Sequence, residues 1–208
     1  MTISKFFLAL TSVLLAVSTA HAQFGVYGTV SVRRMTDIPY TQGNTNYTNG
    51  AINPVGGTGG IFYDFRTLGP VRLGADIRGS ITNSTQSAYK NATGGGGHLA
   101  SGLGGVRVSF HTPIFSLKPY VEGMAGVART NFGTDFNQTL ATNNLTSQTG
   151  VQISTHLEYD AFAGVDYTIL PIMDFRVEVG YGAVQGKSHT YPVQSLSTGV
   201  VFHLPFGR

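Results

Sequence analysis

The feature that most constrains this chain is a two-residue alternation of apolar and polar side chains. It is clearest in Val71–Thr82, where every position fits one apolar and one polar face. His156–Ile169 and Asp174–Ala183 repeat the pattern, and Phe162 is the one residue that departs from it. A period of two is that of a β-strand with one apolar face. These segments therefore predict strands rather than helices.

Five weaker segments complete a set of eight predicted strands: Phe24–Arg33, Gly60–Arg66, Leu99–Phe110, Leu117–Arg129 and Gln194–Phe206. Three connections are short: Thr67–Pro70, His111–Ser116 and Leu170–Met173. The other four are longer and polar: Arg34–Gly57, Asn83–His98, Thr130–Gly150 and Gln185–Pro192. Short turns at one end and longer loops at the other are typical of an up-and-down membrane barrel.

The N-terminus has the pattern of a secretory signal peptide. A single Lys5 precedes the apolar run Phe6–Val17, and small residues follow at Ala20 and Ala22. This order predicts cleavage after Ala22, so that residues 1–22 are the signal peptide and the mature chain starts at Gln23. An uncleaved anchor is the alternative, but the run is short for the roughly 20 residues of a spanning helix.

Composition excludes several classes of protein. Only 11% of the residues are charged, against roughly 25% in an ordinary soluble domain. The chain has no Cys, which excludes a disulfide-stapled scaffold and a thiolate zinc site. A net charge of +3 without any Lys/Arg run argues against a nucleic-acid partner.

Alternation alone does not decide which face lies inside, because a soluble lipocalin-like barrel would bury the apolar face. The low charge argues against a water-facing exterior. Aromatic residues also lie near the strand ends of the apolar faces, as in interfacial girdles: Tyr159, Tyr167, Phe175, Tyr181, Phe202 and Phe206. We therefore predict an all-β fold, an eight-stranded antiparallel up-and-down transmembrane β-barrel over residues 23–208.

The chain resembles the small eight-stranded outer-membrane barrels of bacteria, the OmpA-like transmembrane domain and its relatives. The resemblance rests on the signal peptide, the eight strands, the loop asymmetry and the final strand, whose alternating residues match the family's assembly signal: Leu196, Thr198, Val200, Phe202, Leu204 and Phe206. It implies a monomer in the outer membrane, in contact with lipid and lipopolysaccharide. It also implies the barrel-assembly machinery and periplasmic chaperones as partners during biogenesis.

Thirteen charged residues lie on the predicted inward faces: Asp64, Arg72, Asp76, Arg78, Arg107, Lys118, Glu122, Glu158, Asp160, Asp166, Asp174, Arg176 and Glu178. The interior of an eight-stranded barrel is just wide enough for side chains, so these charges are expected to form ion pairs. Asp166 and Arg176 flank one short turn and are expected to meet across it. The set predicts either a polar plug or a narrow gated ion path.

The sequence contains few residues in patterns typical of a catalytic site. Gly186-Lys187-Ser188 lacks the upstream glycine of a phosphate-binding loop. His156 with Glu158 is more consistent with a lumen hydrogen bond than with a metal site, and the His-x-Ser pattern of outer-membrane deacylases is absent. Asn-x-Ser/Thr sites fall only in predicted loops: Asn46, Asn83, Asn91, Asn137 and Asn144.

We therefore expect no enzyme, no cofactor and no metal. The expected role is structural or adhesive, with an extracellular ligand bound through loops 34–57 and 130–150. A small-solute or ion pore is one alternative, and a soluble periplasmic ligand-binding barrel is another.

Overall fold

The computed structural model describes residues 23–42, 45–85, 97–110, 116–131, 145–146, 154–186 and 189–204. Ten strands lie in these ranges: β1 (Gln23–Gln42), β2 (Thr45–Ile52), β3 (Val55–Leu68), β4 (Val71–Asn83), β5 (His98–Phe110), β6 (Leu117–Asn131), β7 (Leu145–Thr146), β8 (Ser154–Leu170), β9 (Met173–Gln185) and β10 (Thr190–Leu204). Within the same ranges, no helix has the length and apolar character needed to cross a membrane.

Eight of the strands form a closed antiparallel barrel in the order β1, β3, β4, β5, β6, β8, β9 and β10, because β10 pairs back onto β1. Paired residues followed around the ring from Gly25 return to β1 at Met35, a stagger of ten residues. With about 3.3 Å per residue and about 4.8 Å between strands, this stagger tilts the strands by roughly 40°.

Seven of the eight predicted segments lie wholly in barrel strands, and most of those strands are longer than predicted. The eighth, Gln194–Phe206, lies in β10 as far as Leu204, and its last two residues are outside the described ranges. The segment Arg34–Gly57, predicted as a long polar connection between strands, is itself mostly strand. β1 continues to Gln42 and turns back as β2, so a hairpin extends beyond the barrel. Its backbone groups pair with each other, which lets a segment rich in Asn, Thr and Gly form strands. The pairing shifts register near Asp37, whose φ is +60°.

The turns at the opposite end are short. Gly69–Pro70 connects β3 to β4, and Pro171–Ile172 connects β8 to β9. Gly69 has a φ of +61°, a left-handed conformation that glycine adopts without a steric penalty. The third predicted turn lies outside the described residues at 111–115, as do 86–96, most of 132–153 and the pair 187–188. We call the end with Gly69 and Pro171 the turn end and the other the loop end.

The outer wall is apolar over its whole circumference. Ile77, for example, is 62% exposed. Aromatic side chains are exposed toward both ends: Phe65, Phe110, Tyr167, Phe175 and Phe202 toward the turn end, and Tyr159 and Tyr181 toward the loop end. Tyr159 and Tyr167 are separated by roughly 27 Å along β8, which the strand tilt of roughly 40° reduces to about 21 Å along the barrel axis. This height is close to the apolar band of about 25 Å in membrane barrels. The transmembrane prediction is thereby confirmed, and the soluble alternative is wrong because the apolar faces point outward.

Val177→Arg should destabilise the barrel by about 2–4 kcal/mol, because Val177 lies on the outer wall near the middle of β9. The same substitution at Ile172, an exposed residue of a turn, should cost only about 0–1 kcal/mol near the interface. Urea titration of refolding in lipid vesicles measures both values. Equal costs would contradict the assigned depth of these residues.

Candidate functional site

The barrel lumen holds the main concentration of charge in the described part of the chain. All thirteen predicted inward charges face it, and Arg33 is a fourteenth that sequence analysis left out. Twelve of these side chains are buried, and Arg72 and Lys118 are half-buried. Eight of the chain's ten carboxylates lie here. The lumen is therefore acidic, with eight carboxylates against six Arg and Lys.

Three arginines form a middle cluster with four carboxylates, Asp76, Glu122, Asp166 and Glu178. Arg78 donates to Glu178 over 2.7 Å and 3.2 Å, and it also donates to Glu122. Its Nε lies 3.5 Å from Asp76 Oδ1. One guanidinium thus contacts carboxylates from three other positions on the wall, and it connects β4 with β6 and β9 across the lumen.

Asp166 connects the other two arginines of the middle cluster. Arg176 lies directly opposite it in the β8–β9 ladder and donates through Nε and Nη2 over 2.7 and 2.8 Å. Arg107 donates to the same carboxylate over 2.8 Å and to Glu122 over 3.1 Å. A bidentate Arg–carboxylate pair is the strongest of these geometries, and Arg176 is 0% exposed.

A loop-side cluster is formed by Arg33 of β1 and two carboxylates of β8. Arg33 Nη2 donates to Glu158 and, over 3.2 Å, to Asp160, while Nη1 donates to Ser101 over 2.7 Å. Glu158 is fully buried. Arg33 is therefore the cation that offsets the free-energy cost of burying Glu158 and Asp160 in the lumen.

A turn-side cluster contains Gln23, Asp64, Arg72, Lys118, Asp174 and His203. Asp174 accepts from Lys118 over 2.8 Å and lies 2.5 Å from His203 Nε2. The Gln23 side chain accepts from Arg72, and its Nε2 lies 2.8 Å from His203 Nδ1. This cluster lies near the turn end of the lumen.

Aromatic rings fill the space between the charges. The Arg107 guanidinium lies between Phe62 and Tyr120, 4.2 and 3.9 Å from their centroids, and Arg78 lies 4.1 Å from that of Phe162. Tyr27 and Tyr120 donate to Asp76 and Glu178, each over 2.8 Å. Phe162, the residue that departs from the alternation, therefore belongs to the lumen packing.

Each of these rings covers a glycine on a neighbouring strand. The pairs are Gly25 with Phe62, Gly60 with Tyr27, Gly164 with Tyr120 and Gly180 with Phe162. A Cβ atom at any of the four glycines would lie within 2.6 Å of the ring. The missing side chains are thus what allows the rings to lie flat against the inner wall.

Two small cavities lie among the described residues of the lumen. Their volumes are about 20 and 10 Å³, which is room for about one water each. Beyond the ion network, toward the loop end, the inward faces of the strands carry buried apolar side chains: Met35, Leu99, Ala128, Val184 and Val193. The ion network is thereby covered by an apolar layer on the side of the loops.

The other predicted site residues divide into two groups. Ala20, Ala22 and Phe206 lie outside the described residues. Leu196, Phe202 and Leu204 of β10 are exposed on the outer wall, with Val200 half-buried between them. Among the described residues, no group of three or more His, Asp or Glu side chains could hold a metal ion.

Sequence analysis missed Arg33 and the four rings for different reasons. The alternation of β1 already puts Arg33 on a polar face, so the signal existed. The rings required the strand register, because a ring and its glycine are distant in sequence and meet only across a ladder.

Gly164→Ala should destabilise the barrel by about 1–3 kcal/mol, because the added methyl group would overlap the Tyr120 ring. Gly102→Ala is the matched control, since nothing lies within 4 Å of its Cβ position on the outer wall, and it should be neutral or slightly stabilising. Refolding titrations of both variants test the packing of the rings. A neutral Gly164→Ala would contradict it.

Asp166→Ala should cost about 3–5 kcal/mol, because it leaves Arg176 and Arg107 partly unpaired in the lumen. The double variant Asp166→Ala with Arg176→Ala should recover part of that loss. A double-mutant cycle gives the coupling free energy. Additive changes in the free energy of unfolding would show that water solvates both Asp166 and Arg176.

Comparison with known proteins gives the fold. No protein-family model matches the chain, and no curated protein matches its sequence. Neisserial surface protein A is similar in structure, with a TM-score of 0.50 and 17% identity over 87% of this chain and 97% of that one. Ail, the attachment invasion locus protein of Yersinia pestis, has a TM-score of 0.48 and 13% identity over 88% and 97%.

The outer membrane enzyme PagL is also similar, with a TM-score of 0.46 and 17% identity over 84% of this chain and 98% of that one. Identities this low show likeness of fold alone. The fold is nevertheless the one that the resemblance implied. Together with the closed ring and its apolar outer wall, this likeness makes the chain a transmembrane eight-stranded β-barrel with the fold of Neisserial surface protein A.

Proposed function

We propose that this protein has a structural or adhesive role that it performs with its loop end, around a lumen that does not conduct. The observation that carries the proposal is the filled lumen. Most of its charged side chains pair with each other, four rings fill the space between them, and two cavities among the described residues are each about the size of one water molecule. We therefore assign the structural or adhesive role to the surface at the loop end.

A narrow pore is the competing function, and the burial of the charges argues against it. Ions cross a pore through water, which would expose the side chains that line the path. Arg176 and Glu158 have no exposed surface, and apolar residues such as Leu99 and Val184 follow at the loop end. Opening a path would require several buried ion pairs to separate together.

Two basic side chains and one acidic side chain are exposed toward the loop end in the described part of the chain. They are Arg34, Arg129 and Asp37. Arg34 and Arg129 are exposed on the outer wall toward the loop end. There they would face the phosphates of lipopolysaccharide, which we propose as a lipid partner of a monomeric barrel. The β1–β2 hairpin extends beyond them and is the proposed contact for an extracellular ligand.

Two further assignments belong to the same proposal. The barrel-assembly machinery would read the outward residues of β10, with periplasmic chaperones acting before insertion. Catalysis is not part of the proposed role, although an enzyme is among the similar structures. Support comes from the sequence, where no His-x-Ser pattern follows the histidines of the mature chain.

Replacing residues 36–51 with Asn-Gly tests the adhesive role. Met35 and Ile52 are paired, so the two new residues can close a tight hairpin. Bacteria that express the shortened protein should attach to cultured host cells less than those with the intact one. Heat-modifiable gel mobility must show that both barrels fold. Unchanged attachment would contradict a role for the hairpin.

Planar-bilayer recordings test the closed lumen. The intact protein should give no steady single channels, because the two cavities among the described lumen residues have volumes of only about 20 and 10 Å³. Asp166→Ala with Arg176→Ala is the positive control, since it removes a central ion pair and should admit water. Steady channels from the intact protein would refute the plug and favour the pore.

A further inference from the structure

Asp64 is a buried carboxylate that lacks a direct ion pair among the described residues. It is 5% exposed, and its Oδ1 atom has no hydrogen-bond partner there. The cations of its surroundings are engaged elsewhere: Arg72 donates to Gln23, Lys118 to Asp174, and Arg107 to Glu122 and Asp166. A buried carboxylate without a close cation is costly.

The residue directly opposite Asp64 is Gln23. The two are Cα partners in the β1–β3 ladder, and such partners lie about 4.5–5.5 Å apart. Both side chains face the lumen. The nitrogen of Gln23 is one bond from its Cα, so the Asp64 carboxylate can reach it by side-chain rotation.

We propose that signal-peptide cleavage after Ala22 creates the missing cation, the α-ammonium group of Gln23, and that this group pairs with Asp64. A signal peptidase adds water across the Ala22–Gln23 peptide bond. The carbonyl carbon of Ala22 takes the hydroxide, and the nitrogen of Gln23 takes the proton and a second one from solvent. The inference rests on cleavage at this bond and is independent of the adhesive role.

The contacts of the Gln23 side chain favour survival of the ammonium group. A free N-terminal glutamine can cyclise when its amine attacks the side-chain amide carbon and releases ammonia, which removes the charge. Here Arg72 and His203 hold that amide from both sides. Cyclisation would break these contacts, so the folded barrel protects the amine that it uses.

Processing and stability are thereby coupled. In the precursor, the nitrogen of Gln23 is an uncharged amide and Asp64 lacks its cation. In the mature chain, the ammonium group raises the cations of the lumen from six to seven against eight carboxylates. The barrel therefore reaches full stability only after the leader has been removed.

The test compares the chain that begins at Gln23 with one that retains Ala22, both refolded into the same vesicles. Retaining Ala22 moves the ammonium group by one residue, about 3.3 Å along the strand. We expect its unfolding equilibrium constant to be roughly tenfold higher, the value of one charge-assisted hydrogen bond. In Asp64→Asn the two chains should be equally stable.

Asp174→Asn is the matched control, because it alters another carboxylate of the turn-side cluster and should preserve the difference between the chains. Equal stability of the two chains with Asp64 intact would overturn the proposal, as would an undiminished difference in Asp64→Asn. Mass spectrometry of the protein from outer membranes gives a second check. A start other than Gln23, or a mass reduced by one ammonia, would also overturn it.

Discussion

The requirement that every charge inside a closed barrel find a partner is the constraint on which the rest of this structure depends. An eight-stranded barrel in a bilayer has no second layer to cover its inner wall, so the inward side chains must fill the space themselves. Arginine suits this because its planar guanidinium reaches several carboxylates at once. Arg78 and Arg107 each connect strands that are not neighbours in the ring, which ties the wall together across its own interior.

The rings and glycines of the lumen follow from the same constraint. A guanidinium stacked on Tyr120 or Phe162 keeps a favourable electrostatic contact where water is excluded. The ring needs room against the wall, and a glycine on the adjacent strand supplies it. Glycine weakens a strand when nothing packs on it, but here the aromatic ring replaces the contacts that the side chain would have made.

Because the lumen is filled, we assign the function to the ends of the barrel. The two ends differ in structure. The turn end has tight connections and a hydrogen-bonded cluster around Asp174 and His203. The loop end has an apolar layer inside and a hairpin that continues past it. The lumen holds most of the carboxylates, and Arg34 and Arg129 are exposed toward the loop end, which suits a membrane face rich in phosphate.

The sequence by itself determined the strands and their two faces, because side chains alternate across a strand whatever its partner. The low charge and the aromatic residues near the strand ends then assigned the apolar face to the outside. The Asp166–Arg176 contact could also be predicted from the sequence, since the short turn between β8 and β9 leaves few possible registers for the two strands. Only the tertiary structure decided the rest. Arg33 meets Glu158 across the lumen, and Tyr120 meets Gly164 across a ladder, because the ring closes with a stagger of ten residues. That stagger depends on all eight pairings at once, and no local pattern in the chain encodes it.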